Sequence, residues 1–356
     1  MNKTQPGLFG IVHSNRDFCN PDSWGKNQFN SSFPASLVNY FDSLGLENIY
    51  LYLDSGMKIK HGKISSEKLY GISPKSEELF FSFESIYSPY QQLVIGHLPR
   101  VDLVTQLRSS GQCLKPIEIK LTALPDNSTC HLSEKNYGCE IVIRPDTIVY
   151  LGCSIVSNFK NNILELSSLI DKKFDNIQDW TNGSSVWGYI PEMIKTIDKI
   201  ILSIIDKQEP LVMQPIWKTN GKSPKLAVNC LDVFIWSNFA FMQLFIDVAR
   251  RELVGSRITR QIRTIIWLFK MIYDFSKNGQ FQHHKIIDEL SYNTKNDKAF
   301  AVSGRVTYRY MKCPELIKPR VEKKHIKKII IGGGQSLLSP ERRFDAIIFN
   351  SPELFS

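Results

Sequence analysis

The chain lacks most of the signatures that assign a function cheaply. Its 356 residues include seven cysteines, at positions 19, 113, 130, 139, 153, 230 and 313, with no CxxC and no Cys/His pairing at zinc spacing. An odd, scattered set of thiols fits a reduced protein and argues against a disulfide-stapled domain or a structural zinc module. The most apolar run, Val233 to Ile246, is shorter than the roughly 20 residues that span a bilayer, and Ser237, Asn238 and Gln243 interrupt it. The opening Met-Asn-Lys-Thr-Gln-Pro-Gly lacks the apolar segment of a secretory signal, so a cytoplasmic protein without a membrane partner is expected. There is no internal repeat and no low-complexity tract. The glycines of Ile329-Ile-Ile-Gly-Gly-Gly334 are not followed by Lys-Ser/Thr, which excludes a P-loop. No nucleotide fingerprint or nucleophile–base pattern supports an ordinary metabolic enzyme.

What is present is an average globular composition, 42% hydrophobic, with a net charge of +9 that favours a polyanionic partner. One stretch stands out, Pro116-Ile117-Glu118-Ile119-Lys120-Leu121. On a strand, alternate residues share a face, so Glu118 and Lys120 lie together on one side while Ile117, Ile119 and Leu121 take the other. Placing a carboxylate and an ammonium side by side on an apolar strand costs desolvation. Upstream, Val101-Asp102-Leu103-Val104-Thr105 is a second strand, and Arg108 to Gln112 reads as the turn between them. A hairpin centred near Ser110 pairs residues whose numbers sum to about 220, which sets Asp102 opposite Glu118. Two carboxylates offer hard oxygen ligands to Mg²⁺, and the lysine can orient or activate water or stabilise phosphate charge.

The spacing, Asp102, then fifteen residues, then Glu118-Ile-Lys120, resembles the PD-(D/E)xK nuclease core, with Pro99 displaced from the usual position before the acid. Two other (D/E)xK strings compete. Asp171-Lys-Lys173 ends a run with helical spacing, although Pro145-Asp146 lies upstream of it, and Glu322-Lys-Lys324 sits in a charge-rich surface stretch. Only Glu118-Ile-Lys120 has apolar neighbours on both sides and an acid-bearing strand before it. The bland alternative is an edge strand with a surface Glu–Lys pair.

The run Ser14-Asn15-Arg16-Asp17-Phe18, then Ser23-Trp24-Gly25-Lys26-Asn27-Gln28-Phe29-Asn30 and Phe33-Pro34, resembles the N-terminal signature of the HindVP/HgiDI family of type II restriction endonucleases. Ile117 to Asp126 is similar to the same family's catalytic strand and the turn after it. The resemblance is clearest over about the first 150 residues. It implies a Mg²⁺-dependent, sequence-specific endonuclease for double-stranded DNA, associated with the palindrome GRCGYC and with a cognate methyltransferase. A palindromic target implies a C₂ homodimer. In this nuclease class an upstream helix often supplies one more acid, for which Glu78 and Glu84 are the candidates.

DNA contacts are sought among side chains that pair with bases or phosphates. In the N-terminal segment, read as a loop, these are Arg16, Lys26, Asn27, Gln28 and Asn30. A helix over Ser256 to Lys277 carries Arg257, Arg260 and Arg263 at three-residue spacing, read as a basic stripe. A strand over Ala301 to Lys312 places Arg305 and Arg309 on one face, and Lys218 to Lys225 is a basic turn.

The expected fold is α/β, a restriction-endonuclease-like core in which a mixed central sheet with the catalytic hairpin is flanked by helices. Residues 1–180 are expected to form that core with its DNA-contacting loop. Residues 181–356 are expected to be mainly helical and to serve DNA binding and dimerisation, the alternative being one continuous domain. Among smaller elements, helices are expected over Pro34–Leu44 and Leu231–Arg251, and strands over Cys139–Arg144 and Thr147–Cys153. A non-catalytic DNA-binding protein, and a nuclease of this fold class acting in repair or on RNA, remain the rival readings.

Overall fold

A computed structural model of the chain describes residues 11–16, 26–120, 122–125, 141–219, 226–255, 257–296, 298–302 and 320–322. The strands are β1 (Asn48–Leu53), β2 (Ile59–Ile64), β3 (Leu79–Ser85), β4 (Val101–Leu107), β5 (Cys113–Ile119), β6 (Thr122–Pro125), β7 (Ile141–Ile143), β8 (Pro210–Thr219), β9 (Leu226–Ser237), β10 (Phe300–Val302) and β11 (Val321–Glu322). The helices are α1 (Lys26–Ser43), α2 (Ser66–Tyr70), α3 (Pro145–Val156), α4 (Ile163–Leu169), α5 (Gly183–Trp187), α6 (Ile190–Ser203), α7 (Asn238–Glu252), α8 (Arg260–Asn278) and α9 (His283–Glu289).

Seven strands form a mixed sheet in the order β2-β1-β9-β8-β5-β4-β3, with β6 added on β8 and β11 on β9. Antiparallel pairs β1–β2, β8–β9 and the meander β3–β4–β5 are joined by two parallel contacts, β1 on β9 and β5 on β8. Strand β6 prolongs β5 along β8 without loss of step: Glu118 pairs with Val212, Ile119 with Met213 and Thr122 with Ile216. Each sheet face is buried under its own apolar cluster. One holds α1 and α2 through Phe33, Leu37, Phe41 and Leu69 against Leu103, Ile117 and Ile119. The other holds α3, α6, α7 and α8 against Val104, Val212, Phe234 and Trp236.

The part of the chain after residue 180 is only partly helical, since it supplies β8 and β9 to the middle of the sheet. The apolar run expected to be one helix from Leu231 is strand as far as Ser237. There the Ser237 hydroxyl accepts from the Ala240 N–H at 3.0 Å and caps α7. A polar capping residue between apolar stretches is the break that hydrophobicity alone does not register. The reverse correction applies to Thr147–Cys153, which is helix within α3 and not strand. Pro145 in the first turn and Asp146 beside it are helix-start signals. The run that follows is buried all round, so it has no periodicity to separate helix from strand.

Further shifts are local. Helix α1 begins at Lys26, eight residues before Pro34, which sits inside the helix instead of opening it. The strand expected from Cys139 is the short β7, and it pairs with β10 in a separate two-stranded sheet instead of extending the main one. No helix among the described residues is long and apolar enough to cross a membrane.

Candidate active site

The β4–β5 hairpin turns at Gly111, whose φ of +67° is a left-handed conformation that glycine adopts without strain. Its pairs Leu103–Ile117, Val104–Pro116 and Thr105–Lys115 all sum to 220. That register carries Asp102 and Glu118 to neighbouring positions at the open end of the hairpin. The Ile119 N–H donates to Asp102 Oδ2 at 2.8 Å, which fixes the aspartate against the next strand. Lys120 Nζ is ion-paired with Glu118 Oε1, and Thr147 Oγ1 donates to the same oxygen at 3.2 Å. The side chains of Glu118 and Lys120 are only 12% and 16% exposed, so this is a largely dehydrated pair and not a surface one. The main chain of Lys120 is held as well, its N–H donating to the Met213 carbonyl at 2.9 Å.

The electrostatics follow from crowding. Burial, reinforced by Glu118, raises the Asp102 carboxyl from 3.8 to about 7, although Lys120 and the Ile119 N–H pull it back. For Lys120, burial alone would lower the proton affinity, but Glu118 and Asp102 more than offset it and the ammonium is held above its ordinary value. Two carboxyl groups share one ammonium here, so ionisation of Asp102 leaves the centre with one uncompensated negative charge for a cation to balance. The donor set suits a hard divalent cation: carboxylate oxygens of Asp102 and Glu118, with the Ile119 carbonyl on the chain between Glu118 and Lys120. No cluster of three or more His, Cys, Asp or Glu side chains among the described residues is arranged to hold a metal. A cation here would therefore complete its shell with main-chain, water or phosphate oxygens, as Mg²⁺ commonly does.

Helix α3 closes one side of the centre, and two of its residues are missing from the sequence-based candidates. Thr147 reaches Glu118 as described. Asp146, on the exposed first turn, has its carboxyl pushed up by partly dehydrated surroundings and by Glu118, and drawn back by Arg144, His284 and Lys120. The signal for both was Pro145-Asp146 opening a helix, which becomes informative only once that helix is known to lie over β5.

The other candidates divide. Glu84 continues the β3–β4 register to a position beside Asp102, with a strained φ of +51°, and pairs with Arg16 at 3.5 Å. Glu78 is at the far end of the hairpin, where it accepts from the Ser109 N–H at 3.1 Å, and is not brought to the cluster. Both acids belong to or flank strand β3, where a helix was expected.

Arg16 is not offered to DNA. Its side chain is 8% exposed, donates to Ser31 Oγ at 2.8 Å and Ser32 Oγ at 2.9 Å, and lies 4.4 Å over the Phe83 ring. Burial lowers its affinity for a proton to about 10, against the pull of Glu84 and Asp102. It pins α1 to the sheet next to the acid pair.

Lys26, Asn27, Gln28 and Asn30 fall in the first turns of α1 and not in a loop, and their side chains lie outside the described set. The arginine stripe does not form. Arg257 is exposed and precedes the capping Thr259, Arg260 is half-buried at the first helical position, and Arg263 is fully buried. The guanidinium of Arg263 donates to the Lys295 and Ala299 carbonyls at 2.9 and 3.3 Å and stacks 4.1 Å from the Trp267 ring, a structural role in place of the expected DNA contact. Three-residue spacing makes a stripe only inside a helix, and here the helix starts partway along it. Arg305 and Arg309 lie outside the described residues.

Along almost its entire length the chain is similar to proteins of known class. It is 46% identical over 351 residues to the type II restriction enzyme HgiDI of Herpetosiphon aurantiacus, covering 99% of this chain and 97% of that one. It is 45% identical over 351 residues to the probable type II restriction enzyme HindVP of Haemophilus influenzae, covering 99% and 95%. Identity at this level over both full lengths defines the class, and the protein is a type II restriction enzyme, a site-specific deoxyribonuclease. The family model for the HindVP restriction endonuclease matches residues 24–355, and the chain belongs to that family. No solved structure matches it.

Proposed function

We propose that Asp102, Glu118 and Lys120 are the catalytic centre of this restriction enzyme and that it hydrolyses double-stranded DNA with Mg²⁺. The observation that carries the reading is the meeting of two carboxylates and one buried ammonium on a single sheet face. The surrounding β3–β4–β5 meander, with β5 parallel to β8 under α3, fits a restriction-endonuclease-like core. Asp102 and Glu118, with the Ile119 carbonyl, would hold the metal. Bound there, Mg²⁺ would act as a Lewis acid toward the phosphate and lower the pKa of a coordinated water. Lys120, released from Glu118, orients the attacking water or stabilises charge on the phosphorane oxygens. Thr147 keeps the Glu118 carboxylate aimed while this exchange takes place. The Asp102 side chain is locked by the Ile119 N–H, so both acids are set before substrate arrives.

The finer points of the reading are a palindromic target, GRCGYC, a homodimer that places one centre on each strand, and a cognate methyltransferase protecting host DNA. Residues 1–180 carry the reacting groups, and residues 181–356 take part in DNA binding and dimerisation. The deciding experiment digests sequenced phage DNA with the purified protein, with Mg²⁺ and with EDTA. Discrete Mg²⁺-dependent fragments, with ends mapping to one palindrome, support the reading and give the site. A uniform smear removes the palindrome. Fragments formed equally well in EDTA remove the metal.

A further inference from the structure

Gln214 lies at the centre of β8, and its side chain is wholly buried. In the ladder that runs without interruption from β5 into β6, Ile119 pairs with Met213 and Thr122 with Ile216, which sets Gln214 level with Lys120. Paired residues of neighbouring strands face the same side, so Gln214 and Lys120 share the sheet face that carries the acid pair. On the opposite strand, Trp236 Nε1 donates to Gln214 Oε1 at 3.2 Å. Trp236 stands on β9, across β8 from β5, in the row Trp236–Val212–Glu118, so the indole holds the amide oxygen on the β9 side and leaves Nε2 on the side away from the indole. The indole bond also fixes which amide atom is oxygen. The Nε2 group is left without a hydrogen-bond partner.

A buried amide donor with no acceptor is costly, and its persistence calls for an explanation. One is at hand next door. Glu118 takes its hydrogen bonds from Lys120 and Thr147. When Lys120 turns to water or phosphate, this buried carboxylate loses its charged donor and keeps only the Thr147 hydroxyl, which leaves room for a second donor. We propose that Gln214 is a positioning residue for DNA cleavage: its free Nε2–H takes over the Glu118 carboxylate when Lys120 turns to the substrate. The inference rests on the catalytic reading given above. The amide touches no reacting atom and acts by holding Glu118 in its cation-binding orientation.

Two variants test it. Gln214→Met keeps volume and removes the donor together with the acceptor that serves the Trp236 indole. Gln214→Glu keeps the acceptor for Trp236 and makes the donor available only when the new carboxyl is protonated. For Gln214→Met the expected result is a single-turnover cleavage rate lower by about tenfold to a hundredfold, the usual effect of losing an outer hydrogen bond to a metal ligand. DNA affinity in Ca²⁺ should stay within about twofold, and the melting temperature should fall, because the Trp236 indole N–H loses its acceptor. Calorimetric titration of the protein–DNA complex with Mn²⁺ should show weakened metal binding. Gln214→Glu should recover cleavage relative to wild type as the pH is lowered.

A Gln214→Met protein that melts lower yet cuts and binds Mn²⁺ as wild type does would make Gln214 a packing residue and overturn the proposal. So would a Gln214→Glu pH profile parallel to wild type. Wild-type protein that fails to cut any DNA in Mg²⁺ would instead overturn the catalytic reading on which the proposal stands, so the two failures are distinct.

Discussion

Replacing Asp102 by asparagine should abolish cleavage and, in the absence of metal, stabilise the fold. The Asp102 carboxyl is raised from 3.8 to about 7 by burial and by Glu118. A move of that size is worth about 4 kcal/mol, since each tenfold change in proton affinity is about 1.4 kcal/mol. The centre responds as one unit of two acids and a lysine, and Glu118 relaxes once its neighbour is neutral, so the realised gain is nearer about 1–3 kcal/mol. Asparagine fits the site, because its oxygen can still accept from the Ile119 N–H.

The sign of the pH dependence is fixed by the same shift. A carboxyl that holds its proton more tightly when folded contributes stability that is complete below the unfolded value and is lost as the pH rises through the folded one. Metal-free wild type should therefore lose stability between its ordinary 3.8 and about 7, and Asp102→Asn should lose less across that window. Urea unfolding in EDTA at pH 5 and pH 8 reads both effects, with the two proteins close at pH 5 and the variant ahead at pH 8. An asparagine variant that is less stable than wild type at pH 8, by the same margin at pH 5, would refute the argument and make Asp102 a structural hydrogen-bond acceptor.

The remaining predictions concern the same centre and its surroundings. Lys120→Ala should cut the single-turnover rate by at least about a hundredfold while DNA binding in Ca²⁺ persists, and an electrophoretic shift assay alongside a cleavage assay separates the two. The Mg²⁺ concentration for half-maximal cleavage should rise as the pH is lowered below about 7, because the proton on Asp102 competes with the cation, and a titration at pH 6 and pH 8 measures it. Arg263→Ala should destabilise the protein by about 3 kcal/mol or more by stranding the carbonyls that Arg263 serves, with little change in DNA affinity of the folded fraction, as denaturation and binding titrations would show.

The hairpin was legible in the sequence because its determinants are local. A turn with a glycine at the required position fixes the register, and the register fixes which side chains meet across it. The neighbours of that hairpin were not legible. Thr147 reaches Glu118, and Gln214 stands level with Lys120, from elements far along the chain, and strand order is not written in any local pattern. Arg263 and Arg16 misled for a related reason. An arginine reads as surface until the carbonyls, hydroxyls and aromatic faces that pay for its burial are known, and at Arg263 these come from Thr294, Lys295, Lys298 and Ala299, with the ring of Trp267. The strand-like reading of Thr147–Cys153 failed because a segment buried on every side has no polar face to reveal its period.

The sheet order has a consequence for how the chain acquires its structure. The β1–β2 hairpin and the β3–β4–β5 meander are made early in synthesis, yet neither touches the other within the sheet. They are joined only when the β8–β9 hairpin arrives from residues 210–237 and slots between them through two parallel contacts. Pairings of such long sequence separation form late and slowly. On the ribosome, the face of β5 that carries Glu118 and Lys120 would therefore wait, without its neighbouring strand, until about two thirds of the polypeptide had emerged. A truncated or stalled product that ends before β8 would lack the strand against which Lys120 is held.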